Sequence, residues 1–249
     1  MAQDDIFTGK LDPGAIIEPL FRAVQDSFET IEFSLSALES ADLSAHPLIL
    51  GGFVHISTGV IIRDAADRKK AYGKWLLRKG FQEAARGARQ MLEEALVYTE
   101  LVARGGSRIL LSDVRAARGK AGRMDMKKLV STLDKRLLKP LAFAYQFRSL
   151  YHARNCLEHR AGVVGLDDLN GDGKLQLVLP LTLVYMVDGK EVELDQEVPQ
   201  GTQLHIQTQI QEFSVGEEVI FTRDQFHRIA FACQVLAQDL RSKLPPPPT

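Results

Sequence analysis

Apolar residues recur at helical spacing along most of the chain. One stripe with three- and four-residue spacing runs through residues 20–38, and another runs through residues 81–101 in a stretch without proline. This spacing places apolar side chains on one face of a helix. We therefore predict one helix from near Pro13 or Pro19 to about Ser40 and a second over residues 65–103.

The middle of the chain has a less regular pattern. Residues 48–62 are apolar but interrupted by glycine, so they fit a helix or a strand. Residues 115–123 have no large apolar side chain, which predicts an exposed connector. A short helix is predicted over residues 125–138. Pro140 then opens a further helix, which Gly162 ends as a left-handed cap.

Beyond Gly165 the apolar positions alternate, which is typical of strands. Leucines alternate through residues 175–185, residues 187–190 predict a hairpin turn, and residues 204–210 predict another strand. Together they predict a small antiparallel sheet that forms an appendage to the helices.

The C-terminal region returns to a helical pattern. Thr222 and Gln225 resemble a capping box ahead of an apolar stripe over residues 226–240, and a disordered proline tail follows at residues 245–248. The predicted fold is mainly α, a helical bundle with a small β appendage. Its predicted units are a helical region (1–165), the β appendage (166–215) and a C-terminal helix with its tail (216–249).

Basic residues are concentrated in the middle of the chain. Residues 63–160 contain 23 Lys and Arg against 10 Asp and Glu, although the whole chain has a formal net charge of -1. A basic field attracts phosphate backbones in a salt-dependent manner. Alternatively, the basic helices simply pair with acidic ones after folding.

Cysteine usage and hydropathy suggest a cytoplasmic protein. Cys156 and Cys233 both fall in predicted helices, as expected of buried thiols in a reducing compartment. The first residues do not resemble a secretory leader, and no apolar run of about eighteen residues occurs. We expect no membrane association.

The helix after Pro140 has an unusual density of polar groups that can contact nucleic acid. A guanidinium can bind two phosphate oxygens at once, and an imidazole exchanges protons near neutral pH. These two functions suffice for RNA cleavage without a metal or another cofactor. The polar groups are His152, Arg154, Asn155, Glu158, His159 and Arg160.

Arg154, four intervening residues and His159, with Asn155 directly after the arginine, resemble the R-x4-6-H motif of the HEPN superfamily. The resemblance implies a HEPN-like bundle and a metal-independent endoribonuclease of the toxin or phage-defence kind. In the implied reaction the ribose 2′-hydroxyl attacks the adjacent phosphate and leaves a 2′,3′-cyclic phosphate. His159 would transfer a proton, Arg154 would stabilise the developing charge, and Asn155 would orient the phosphate or the imidazole.

The spacing of the motif places Arg154 and His159 on different sides of the predicted helix. Five positions along an α-helix place Arg154 and His159 about 140° apart, so one copy does not present them as a flat pair. HEPN proteins pair their motif helices across a two-fold axis, and the resemblance therefore implies a homodimer. We assign His152, Glu158 and Arg160 to the surrounding RNA-binding surface. A regulatory protein partner is compatible with such an enzyme.

Other interpretations of the same residues stay open. Arg154 and Glu158 also fit an ordinary ion pair, with Asn155 and His159 bonded to each other on a solvated helix face. A HEPN-fold module that binds RNA or a protein without cleavage is a further hypothesis. In a third, the β appendage docks another component.

Residues 168–175 resemble the beginning of a calcium loop. Oxygen-bearing side chains stand at positions one, three and five, and glycine stands at position six. Position twelve is Leu179, which cannot supply the bidentate carboxylate that calcium loops use there. We therefore predict a turn built from Asn-Gly and Asp-Gly pairs.

Overall fold

The computed structural model of the chain describes residues 6–7, 11–45, 64–105, 109–187, 190–193 and 202–247. Within these ranges the predicted mainly α fold with a small antiparallel sheet is confirmed. Residues 48–62, which fit a helix or a strand in the sequence, lie outside the described residues. The helices are α1 (Glu18–Ser40), α2 (Ala65–Ala103), α3 (Leu111–Gly122), α4 (Met126–Asp134), α5 (Ala144–His159) and α6 (Arg223–Arg241). The strands are β1 (Ile6–Phe7), β2 (Ile109–Leu110), β3 (Leu175–Val187), β4 (Lys190–Glu193) and β5 (Leu204–Phe213).

The long helix α2 is the central element, and α1, α3, α4, α5 and α6 all contact it. Its N-terminus is capped by Asp64, whose side chain accepts a hydrogen bond from the backbone N–H of Asp67 at 2.8 Å. A Cβ on Gly80 would lie 2.6 Å from Phe226 of α6 and closer still to Ile31 of α1. The absence of a side chain at Gly80 therefore lets three helices approach one another closely.

Residues 115–123 are mostly exposed, as predicted, but the prediction that they form a connector is wrong, because nearly all of them belong to α3. Ala117 and Ala121 are buried, and their four-residue spacing gives α3 a narrow apolar face. Arg118 and Lys120 form ion pairs with Glu94 and Glu100 of α2 at 3.1 and 2.6 Å. Small side chains and ion pairs thus dock this part of the helix, next to the partly buried Val114.

Helix α5 begins at Ala144, so the prediction that Pro140 opens it is wrong. Aspartate side chains bind the backbone N–H groups that follow the proline. Leu141 donates to Asp134 at 2.6 Å, and Ala142 donates to Asp239 of α6 at 3.0 Å. These bonds hold the segment between α4 and α5 in a non-helical conformation.

The sheet has the order β4-β3-β5 and is antiparallel, as predicted. Val187 pairs with Lys190, which confirms the predicted hairpin, and β3 has an irregularity between Pro180 and Thr182. The first half of β3 packs against α5 and α6 with its leucines buried. The hydrophobic core thus contains residues from all three predicted units, 1–165, 166–215 and 216–249. The boundaries themselves stay a prediction.

The predicted capping box opens α6. Thr222 Oγ1 accepts a hydrogen bond from the N–H of Gln225 at 3.1 Å, and Gln225 Oε1 accepts one from the N–H of Thr222 at 2.8 Å. After α6, Leu244 is buried and the carbonyl of Pro245 accepts a hydrogen bond from the Tyr98 hydroxyl at 2.7 Å. The prediction of a disordered tail is therefore wrong for Pro245.

In the described part of the chain, no helix has the length and apolar character that crossing a membrane requires.

Candidate functional site

The orientation of α5 is set by the side chains it buries. One side of the helix enters the core, and this fixes which residues face outward. The outward residues at successive three- and four-residue steps fall within an arc of about 80°. The buried residues are Phe147, Ser149, Leu150, Ala153, Cys156 and Leu157. The outward stripe is Tyr145, Arg148, His152, Asn155 and His159.

Arg154 and Glu158 form a two-pronged ion pair beside this stripe. The two guanidinium Nη atoms lie 2.5 and 2.6 Å from the two carboxylate oxygens. Arg154 also donates to Asn155 Oδ1 at 3.2 Å, and its guanidinium lies 6.0 Å from the centre of the Tyr151 ring. Such an i,i+4 pair at the surface contributes less than about 1 kcal/mol to stability, so other ligands can compete for the arginine.

The carboxylate of Glu158 also approaches His159. Glu158 Oε2 lies 3.7 Å from His159 Nε2, and the imidazole is 67% exposed in the last turn of α5. One acidic group thus lies between Arg154 and His159, although the two residues point in different directions around the helix. Asn155 bonds to Arg154, not to His159 as the ordinary-surface interpretation expected. An anion that contacts both Arg154 and His159 would occupy the place of the Glu158 carboxylate.

Arg160 stabilises the end of the motif helix. Its guanidinium donates to Asp168 at 2.6 Å and to Asp167 at 2.7 Å, both in the short 3-10 helix Leu166–Asp168. Asp168 is 2% exposed and also accepts a hydrogen bond from the N–H of Gly165 at 2.8 Å. The structure therefore places Arg160, assigned from the sequence to the RNA-binding surface, in contacts that hold the polypeptide after α5.

His152 lies one turn before Asn155 and is half-buried. Burial lowers the pKa of its imidazole below the ordinary value of 6.5, and the nearby Arg148 lowers it further, while Asp168 opposes this shift. His152 is therefore neutral at neutral pH and can both donate and accept a hydrogen bond. It borders a pocket on the α4 side of the helix.

Arg78 of α2 is a positioning residue that the sequence did not reveal. It donates to the carbonyl oxygens of Ala161 at 3.1 Å and Val219 at 3.3 Å, and it forms an ion pair with Glu218. Burial raises the pKa of Glu218, but hydrogen bonds from Lys74 and Arg78 outweigh this effect and hold it below 4.5. This network connects the turn after the motif to α2.

The turn after α5 has two residues with left-handed backbone conformations. Gly162 has φ 84°, as expected of the glycine predicted to end the helix, but Ala161 before it also has φ 52°. A Cβ on Gly162 would lie 3.1 Å from the Arg78 guanidinium. The backbone conformation therefore favours glycine there, and a larger residue would displace the Arg78 side chain.

Cys156 and Cys233 are buried free thiols, as predicted. Burial raises the pKa of both thiols to about 12, and for Cys156 the neighbouring Asp168 carboxylate adds to this effect. Since the thiolate is the reactive form, neither residue serves as a nucleophile near neutral pH.

The segment that resembles a calcium loop forms a turn. Asn170 bonds through its side chain to the backbone of Gln176 at 2.6 and 2.8 Å, and Asp172 and Gly173 have positive φ. Asp168, the first position of the resemblance, is bound to Arg160. Among the residues that the structure describes, no group of three His, Cys, Asp or Glu side chains is placed to hold a metal ion.

Comparisons of the chain with protein-family models, with curated proteins and with solved structures found no match. The resemblance to HEPN proteins therefore rests on the sequence motif of Arg154, Asn155 and His159 alone.

Proposed function

We propose that the protein is a metal-independent endoribonuclease with a HEPN-like bundle, in which Arg154 and His159 form the catalytic centre. The observation that supports this best is their contact with one shared carboxylate at the solvent-exposed end of a helix whose other side is locked in the core. A cation and a titratable ring are thus held within reach of one small anionic group. A phosphodiester is an anion of suitable size and charge.

The proposed reaction uses the ribose 2′-hydroxyl as the nucleophile. One imidazole accepts the 2′-hydroxyl proton while the 2′-oxygen bonds to phosphorus, and a second, protonated imidazole donates a proton to the departing 5′-oxygen. The Arg154 guanidinium binds the non-bridging oxygens as their charge grows. Asn155 orients that guanidinium through the hydrogen bond seen in the structure. The products are a 2′,3′-cyclic phosphate and a 5′-hydroxyl.

The need for two imidazoles favours a homodimer with the motif helices facing each other. A partner helix would bring a second Arg154 and a second His159 to the same cleft, and the substrate phosphate would displace Glu158 from Arg154. The composite cleft would then contain one base and one acid. RNA is the proposed partner, in a cytoplasmic toxin or phage-defence setting that rests on the motif alone.

Cleavage of total RNA in the presence of EDTA tests the proposal. Arg154→Ala and His159→Ala should each reduce cleavage at least about 100-fold, as loss of a charge-stabilising or proton-transferring group does. Arg86→Ala is the matched control, because Arg86 is an arginine in a local ion pair on another helix, with Glu83 of α2. Cleavage that either motif variant leaves unchanged, or that EDTA abolishes, would contradict the proposed mechanism.

A second candidate is a HEPN-fold module that binds RNA or a protein without cleaving RNA. The two-pronged bond between Arg154 and Glu158 favours it, because it holds the arginine in place within one protomer, without the second copy that the proposed cleavage needs. Under this candidate the parent protein binds RNA without producing cyclic-phosphate ends, and binding still depends on Arg154.

A further inference from the structure

A pocket of about 450 Å³ opens beside the motif, between α5, the start of α4 and the loop before β3. It lies on the outward stripe of α5, which also includes His159. His152 at its edge and His159 are seven residues apart, so two helical turns, or about 10 Å, separate them. The side chains relevant here are Tyr145, Arg148 and His152 of α5 and Lys127 of α4.

One wall of the pocket is suited to a flat aromatic group. The Arg148 guanidinium lies 5.6 Å from the centre of the Tyr145 ring, and the Tyr145 hydroxyl is fixed by Gln176 Oε1 at 3.2 Å. Tyr145 is 38% exposed. Nucleobases stack on tyrosine rings and on arginine planes, so a base can extend this pair.

The same wall has a hydrogen-bond donor without a partner. Arg148 Nε is buried and, among the described atoms, no acceptor binds it. Lys127 lines the pocket from the first turn of α4, where backbone N–H groups favour an anion. The acidic lining residue is Asp125, whose carboxylate already accepts the N–H of Lys128 at 2.7 Å. Arg148 lines the pocket, so a phosphate there can bind its guanidinium.

We propose that this pocket binds one nucleotide unit of single-stranded RNA, with its base on the Tyr145–Arg148 pair and its phosphate at Arg148 and Lys127. Neutral His152 hydrogen-bonds the sugar or the base. This inference rests on the proposed nuclease function, because it makes the pocket a subsite for a nucleotide that flanks the cleaved bond. It also gives a role to the outward-facing residues of α5 that precede Arg154.

Binding of a labelled single-stranded RNA oligonucleotide to the His159→Ala protein tests the subsite without cleavage of the probe. Arg148→Gln and Lys127→Gln should each weaken binding by about tenfold. Lys128→Gln is the matched control, since Lys128 is an exposed neighbour on α4 outside the pocket lining. Lys127 is itself exposed, so its substitution is not expected to disturb folding.

The outcomes separate the two proposals. If the parent protein cleaves RNA but neither Arg148→Gln nor Lys127→Gln alters oligonucleotide binding, the subsite is wrong and the nuclease stands. If binding depends on both residues but the parent does not cleave RNA, the pocket still binds a nucleotide of RNA and the nuclease is wrong. Adenosine monophosphate that binds through Arg148 as tightly as the oligonucleotide would instead indicate a site for free nucleotides and overturn the RNA assignment.

Discussion

Glu158 decides, at the scale of single residues, whether Arg154 is available to a ligand. Its carboxylate binds both Nη groups of the guanidinium, and its negative charge repels any phosphate that approaches His159. We predict that Glu158→Gln, introduced into the His159→Ala protein, strengthens RNA-oligonucleotide binding about threefold to tenfold, which corresponds to about 1 kcal/mol. Fluorescence anisotropy measures the change.

Glu83→Gln is the control for this prediction, because it removes an exposed carboxylate from the ion pair with Arg86 on α2. It should leave the affinity unchanged. Weaker binding by the Glu158 variant would show instead that the carboxylate holds Arg154 in its binding position.

His152 makes stability depend on pH. Burial holds its pKa below 6.5 in the folded protein, so the unfolded chain takes up a proton first as the pH falls. The free energy of unfolding should therefore decrease between pH 7.5 and pH 5.5. Urea unfolding at the two pH values should show a smaller decrease for His152→Gln than for the parent protein.

This pH range keeps carboxylates out of the comparison. A hydrogen bond from Arg223, for example, holds the pKa of Glu32 below 4.5, outside the range. An equal decrease in the parent and the His152 variant would mean that His152 is not the group responsible.

Local spacing was enough to predict some contacts of the candidate site but not others. The Arg154–Glu158 pair follows from four-residue spacing, and Gly162 follows from its place after an apolar stripe. Arg160 could not be placed, because its partners belong to a 3-10 helix without a periodic signal. Arg78 lies 83 residues before Ala161, so only the packed fold brings them together.

Two glycines inside helices have different surroundings, so their substitution should change stability in opposite directions. Gly80 lies where α1, α2 and α6 meet, whereas Gly119 in α3 has open space around its Cβ direction. We predict that Gly80→Ala lowers the free energy of unfolding by about 1–3 kcal/mol through overpacking. Gly119→Ala should raise it by about 0.5–1 kcal/mol through helix propensity.

Chemical denaturation of both glycine variants checks this pair of predictions. A stabilising effect of Gly80→Ala would show that Ile31 and Phe226 move aside at little cost. The contrast matters for function, because the packing at Gly80 also supports α2, from which Arg78 reaches the turn after the motif.

Helices and strands with a strong period were predictable, and those without one were not. The stripes of α1, α2 and α6 and the alternation of β3 gave these elements close to their observed bounds. Helix α3 was missed because Ala117 and Ala121 are too small to mark an apolar stripe. The start of α5 was misplaced because Asp134 and Asp239, not a helical turn, bind the amides after Pro140.

At the scale of the whole molecule, the basic middle of the chain is only partly neutralised by acidic elements elsewhere. Lys74 and Arg78 pair with Glu218, outside the basic stretch, and Arg118 and Lys120 pair with glutamates inside it. Arg148 has an unpartnered Nε at the pocket, among the described residues, and Arg154 is bound by a single exposed carboxylate. Under the proposed function, Arg148 and Arg154 of α5 are the cations expected to contact RNA.

A site shared between two protomers predicts that two inactive variants can restore activity in a mixed dimer. If cleavage uses Arg154 from one chain and His159 from the other, inactive Arg154→Ala and His159→Ala proteins should complement each other when mixed. Each mixed dimer contains one intact arginine and one of the two histidines that the proposed reaction uses, so up to about 1% of parental activity should return, because loss of one proton-transferring group costs roughly 100- to 10,000-fold. Cleavage assays after co-refolding measure this, and sedimentation establishes that dimers are present. A mixture that contains mixed dimers yet is no more active than the two variants measured separately would contradict the cleft shared between two chains, and a monomeric parent protein that still cleaves RNA would remove the second protomer from the mechanism.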